Sequence, residues 1–289
     1  MPELGKAQNT IEIIKKYDFR FRKKYGQNFL IDPHVLDKIP EAAGVGPEDF
    51  VLEIGPGIGT LTQYLCERAR QVAAVEIDDK LIPILGETLG DCKNVHVIHG
   101  DILKQDLAAL SAEYNGGRPF KVVANLPYYI TTPIVMQLLS DHAPVNSITV
   151  MVQEEVAERM QAKPGTKDYG SLSLAVQYYA RTEIAAYVPP NCFIPRPDVG
   201  SCVIHLDLYD TPPVACKDPE LMFRLIRASF QQRRKMLTNA AGNAGIAGIT
   251  RDTVAEALVS IGLPEKVRGE ALDLASWAAL SDRLSEMIH

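Results

Sequence analysis

From residue 50 onward the chain alternates short, almost unbroken apolar runs with amphipathic stretches. FVLEIG (50–55), QVAAVEI (71–77), NVHVIHG (94–100), FKVVAN (120–125) and SITVMV (147–152) predict strands, and the stretches 60–69, 79–89, 104–112 and 132–141 between them predict helices. Near-continuous hydrophobic strands separated by helices imply a parallel sheet covered on both faces. Two more strands are expected at 183–188 and 199–208, where SCVIHLDL alternates in the strand manner. After the TPPV punctuation that follows residue 209, the pattern turns wholly helical, over 218–231, 233–243, 250–261 and 275–288. The expected organisation is an α/β domain over 1–209, beginning with a basic arm, and a small all-helical domain over 210–289. The chain shows no internal repeat and no low-complexity segment.

Composition narrows this only slightly. The 289 residues are 46% hydrophobic and 23% charged, as in ordinary globular proteins. There is no run of eighteen apolar residues and no signal-peptide core, so a cytoplasmic protein with no membrane partner is expected. Five cysteines form no CxxC pair, which predicts free thiols and no metal site. The net charge of −6 speaks mildly against a nucleic-acid partner. Its distribution reverses that reading: residues 15–24 hold six bases against one acid, and residues 224–235 hold five against none.

The chemistry gathers at predicted strand ends. VLEIGPGIGTLT places Gly55, Gly57 and Gly59 between the first strand and a helix, where a backbone without Cβ atoms can turn tightly and approach a ligand. Glu76 ends the next strand, 21 positions after Gly55, a spacing suited to a carboxylate on both hydroxyls of a ribose. Asp101 follows the third strand, where it could take an adenine amino group. The loop reads G-x-G-x-G rather than G-x-G-x-x-G, so a nucleoside cofactor without a pyrophosphate fits better than a dinucleotide. This combination resembles the class I, Rossmann-like, S-adenosylmethionine-dependent methyltransferases.

The fourth strand then runs into Asn125-Leu126-Pro127-Tyr128-Tyr129. A plain turn has no use for two tyrosines. An exocyclic adenine amine, whose lone pair is delocalised into the ring, explains them better. The Asn125 side-chain oxygen and the Leu126 carbonyl could each accept one of its N–H groups, Pro127 would hold them rigid, and the face of Tyr128 would stack on the base. No strong general base is needed, so catalysis would be positioning plus electrostatics. Tyr129 reads as a packing residue.

Four more stretches, YGQNFLID (25–32), YVPPNCFIPRPDVGSCV (187–203), FQQRRKMLTNA (230–240) and RGEALDLASWAAL (268–280), narrow the resemblance. With the loops above, the chain resembles the ribosomal RNA adenine N6-dimethyltransferases, in their bacterial 16S branch, from about residue 20 onward. The resemblance implies S-adenosylmethionine as cofactor and double methylation of two neighbouring adenosines in the 3′-terminal hairpin loop of 16S rRNA. It implies as partner the immature small ribosomal subunit, with nothing pointing to an obligate dimer. Carried over by position, it puts cofactor contacts on Asn28, Leu30, Gly55, Gly57, Glu76, Ile77, Asp101, Ile102 and Asn125. It puts the target base among Asn125, Leu126, Pro127 and Tyr128, with Phe193 opposing Tyr128 across it. RNA contacts fall on Arg22, Lys23, Lys24, Arg233, Arg234 and Lys235, the first three in a mobile arm. Trp277 departs from the family's usual phenylalanine. Rival readings are a large-subunit sibling, a DNA adenine methyltransferase and a non-catalytic factor. The FQQRRK stretch disfavours the first, the lack of room for a base-recognition domain the second, and the intact NLPY and cofactor acids the third.

Overall fold

The computed structural model describes residues 3–22, 26–140 and 143–288. Its contacts divide the chain into two compact units, 1–157 with 181–208, and 158–180 with 209–289.

The first unit opens with α1 (Ala7–Lys16), β1 (Phe29–Leu30) and α2 (Pro33–Ala42). Asp32 caps α2 by accepting from the His34 and Val35 N–H groups, and Pro33 sits in its first turn, where the missing N–H costs nothing. The sheet follows as β2 (Phe50–Ile54), β3 (Gln71–Glu76), β4 (Val95–His99), β5 (Phe120–Asn125) and β6 (Val145–Gln153). Helices α3 (Thr60–Cys66), α4 (Ile82–Thr88), α5 (Leu107–Asn115) and α6 (Thr131–Ser140) connect them, and α7 (Glu154–Gln161) follows β6. The last strands are β7 (Ala180–Val188), β8 (Phe193–Ile194) and β9 (Ser201–Leu208). The spatial order is β4-β3-β2-β5-β6-β9-β7, parallel from β4 to β6, with β9 antiparallel to β6.

This order has one functional consequence. The chain steps outward from β2 through β3 to β4, then crosses back to lay β5 on the other side of β2. Connections leave the carboxyl ends of β2 and β5 in opposite directions and open a crevice there, the usual ligand position in doubly wound sheets. β2 is buried along its whole length, so its end is held rigidly.

The second unit contains α8 (Ser171–Tyr179), α9 (Pro219–Gln231), α10 (Leu237–Gly242), α11 (Arg251–Ser260) and α12 (Leu274–Ile288). Leu174 and Tyr178 of α8 join Leu225, Trp277 and Leu280 in one core. The expected boundary at 209/210 is therefore corrected in one respect: residues 158–180 belong with the helices. Tyr169, Leu174 and Tyr178 among them are buried in the helical core, a long-range partnership that local patterning does not reveal.

Candidate active site

The glycine loop follows β2, with φ of +68°, +62° and +92° at Gly55, Gly57 and Gly59. A Cβ on Gly55 would meet no protein atom within 4 Å, because it would point into the crevice. One on Gly57 would come 3.0 Å from the Phe29 ring. Glu76, at the end of β3, is almost fully buried. One carboxylate oxygen accepts from the Gly57 N–H at 3.1 Å and the other from the Asp78 N–H at 2.8 Å. Burial pushes its carboxyl up, and these N–H groups pull part of the way back. Glu76 thus fixes the loop, and each oxygen retains a lone pair for a ligand.

Asp78, fully buried, ties down the segment before β1, accepting from Arg22 at 2.9 Å and from Gln27 at 2.8 Å. This brings the Asn28 carbonyl to Asn125 Nδ2 at 3.2 Å. With its nitrogen so engaged, the Asn125 amide keeps its oxygen as the acceptor. The Leu126 N–H is tied to the Met151 carbonyl, and the Pro127 carbonyl accepts from the Ile130 N–H and the Thr131 hydroxyl, which starts α6. The Tyr128 hydroxyl lies 2.8 Å from Ser201 Oγ, so the ring is anchored at its far end. Burial pushes this phenol up, against a smaller pull from Ser201.

Two cavities meet here and share Gly55, Ile77, Pro127 and Tyr129 in their walls. All nine positions expected to touch a cofactor line one or the other. Asn28, Leu30, Gly55, Gly57, Glu76, Ile77 and Asn125 line the first, with Leu126 to Tyr128; Asp101 and Ile102 line the second. The second is lined by Ile77, Ile102, Ile130 and Ile134 together with Asp101, an apolar wall carrying one carboxylate.

Glu53 escaped the sequence reading. It sits within β2, lines the first cavity and is 1% exposed. Burial first, and the charge of Glu76 second, push its carboxyl up to about 8, while the Thr62 hydroxyl pulls the other way. Its Oε2 has no hydrogen-bond partner among the described residues. An orphaned buried carboxyl beside a ribose-type acid and an apolar slot fits a cationic, phosphate-free nucleoside. S-adenosylmethionine meets that description, and when bound it supplies an electrophilic methyl group on its sulfonium. The signal for Glu53 was an acid inside an otherwise apolar strand.

Several expectations need correction. Phe193 does not line either cavity; it is 3% exposed, pairs with Leu30 across the β1–β8 ribbon and packs in the core with Val188 and Val203. Tyr129 is 54% exposed at the cavity mouth, which is no packing position. Arg22 is committed to Asp78 and Asp79, and Lys16 pairs with Glu87, so this part of the expected arm is fastened down. Lys23 and Lys24 lie outside the described residues. In the helical unit, Arg233 is bound to Glu270 at 2.7 Å and to the carbonyls of Thr166 and Lys167. Arg234 and Lys235 are exposed, with no side-chain partner among the described residues. There, too, no group of three or more His, Cys, Asp or Glu could hold a metal, no two of the five cysteines form a disulfide, and no helix is long and apolar enough to cross a membrane.

Sheet order, glycine loop and strand-end acids define the class: an α/β methyltransferase that uses S-adenosylmethionine. The family model for ribosomal RNA adenine dimethylases matches residues 18–282, and the chain belongs to that family. It is 57% identical over 287 residues to the ribosomal RNA small subunit methyltransferase A of Lachnoclostridium phytofermentans, covering 99% of both chains. Its counterpart in Clostridioides difficile is 47% identical over 288 residues, with 100% and 99% covered. Among solved structures it is similar to a dimethyladenosine transferase from Plasmodium falciparum (TM-score 0.71, 26% identity, 87% of this chain and 95% of that one). It is also similar to the 23S rRNA methyltransferase ErmE (TM-score 0.65, 28% identity, 89% and 99%).

Proposed function

We propose that the protein dimethylates N6 of two neighbouring adenosines in the 3′-terminal hairpin loop of 16S rRNA. It does so within the immature small subunit late in assembly, as a cytoplasmic monomer. The observation that carries this reading is the Asn125 amide, held through its nitrogen by the Asn28 carbonyl at the cavity wall. Its oxygen, with the Leu126 carbonyl, accepts the two N–H groups of the adenine amine and localises the lone pair for attack. These bonds strengthen as positive charge grows on the amine, so they favour the transition state over the bound substrate. Tyr128 offers its face to the base, with its hydroxyl held by Ser201. Glu76 and Asp101 hold the ribose and adenine of the cofactor, and Glu53 lines the same cavity as Glu76. The small-subunit target is favoured over the large by the 57% identity to a small-subunit enzyme against 28% to ErmE.

The test is transfer of labelled methyl from S-adenosylmethionine to small subunits lacking the modification, to large subunits, and to DNA. Label recovered as N6,N6-dimethyladenosine in small subunits alone is the expected result. Equal labelling of large subunits would return the sibling reading.

A further inference from the structure

The basic stretch of the helical unit contains two cations that the expected RNA contacts left out. Arg224 and Arg227 are exposed on α9, one turn apart on the same face, and neither has a side-chain partner among the described residues. Gln231 follows four positions later on that face. Together with Asn243, just beyond α10, they line an open groove of about 350 Å³. No carboxylate lines it, and Ala228 and Ala240 are among the small residues in its wall. Arg251 donates to Asn243 Oδ1 at 3.4 Å and adds a third cation beside it. Like charges one turn apart repel and slightly destabilise a helix. A polyanion removes that repulsion.

We propose that this α9–α10 groove holds a stretch of the substrate's ribose–phosphate backbone. Arg224 and Arg227 contact phosphates, and the Gln231 and Asn243 amides hydrogen-bond the sugars, whose 2′-hydroxyls both donate and accept. This anchor is separate from Arg233, which is used internally, and adds to Arg234 and Lys235. It rests on the reading of the chain as an enzyme acting on rRNA.

The experiment compares wild type with R224Q/R227Q and with the charge-keeping R224K/R227K. The readouts are methylation of undermethylated small subunits and the salt dependence of binding to those subunits and to protein-free 16S rRNA. The double Gln variant should raise KM roughly tenfold or more, since each position loses a charged hydrogen bond, with kcat and S-adenosylmethionine affinity unchanged. Its log–log salt slope should shrink by about 1.4–1.8 on both RNA targets, and the Lys variant should restore the slope. An unaltered slope and KM would overturn the proposal. So would a loss seen with subunits but not with protein-free RNA, which would make the partner a ribosomal protein. A wild type that methylates no small subunits would sink the function reading instead, while the slope on protein-free RNA would still decide about the groove.

Discussion

The sheet unit gathers buried acids around a cavity, whereas the helical unit spreads cations over an exposed face. Glu53, Glu76 and Asp78 are each at most 4% exposed, and Glu76 and Asp78 are held by backbone N–H groups and neighbouring side chains. Arg224, Arg227, Arg234 and Lys235 are exposed and have no side-chain partner among the described residues. Burying a carboxylate costs several kcal/mol unless it is compensated, so such groups persist where a fixed geometry uses them. That suits a small ligand of defined shape. Exposed cations cost little and specify little, which suits an extended polyanion whose phosphates attract charge but carry no sequence information. Arg22 and Arg233 show the boundary between the two regimes: a nearby carboxylate turns the same residue type into a structural tie.

The largest effect that could break this contrast lies at Glu53. Its carboxyl sits at about 8 in the folded protein against 4.5 unperturbed, so the native state holds a proton that the unfolded chain releases. Its contribution to stability is therefore complete below about 4.5 and lost as pH rises to about 8, with a slope of up to about 1.4 kcal/mol per pH unit. Glu53→Gln should flatten that slope in denaturant titrations between those pH values. An unchanged slope would mean that the cavity wall is not a stressed acid.

Next in size is Glu76→Ala, which should weaken S-adenosylmethionine binding by roughly 1.5–3 kcal/mol in calorimetry. Because Glu76 also fixes Gly57, Glu76→Gln should recover only part of the loss, since an amide oxygen can replace one acceptor but not both. Wild-type affinity in the Ala variant would remove Glu76 from the site.

The smallest effect separates two adjacent arginines. Arg233→Gln should cost about 1–2 kcal/mol of stability, a range allowing for the partial exposure of its pair with Glu270. Arg234→Gln should stay within about 0.5 kcal/mol and instead lower the salt slope of RNA binding by roughly 0.7–0.9. The reverse pattern would erase the distinction between tie and contact.

What could be read from the chain follows the same division. Gly55, Glu76, Asp101 and Asn125 stand at or just beyond strand ends, and a parallel sheet brings such ends together whatever the loops between them do. The helices at 7–16, 33–42 and 171–179 went unread; α2 carries Pro33 and Pro40, which resemble breakers in a linear reading. Phe193 lies 163 positions from its strand partner Leu30, and nothing local shows that their pairing buries the ring. The roles of Arg22 and Arg233 were hidden for a related reason: Asp78 and Glu270, which capture them, lie 56 and 37 positions away.

The central claim, that Asn125 aims the adenine amine, is tested most directly by single-turnover methyl transfer to undermethylated small subunits with Asn125→Ala. Loss of one positioned acceptor should lower the transfer rate roughly 10²-fold or more, the size found for single donors in comparable sites. Affinity for the subunit and for S-adenosylmethionine should change far less. A transfer rate near wild type, with the amide gone, would contradict the account.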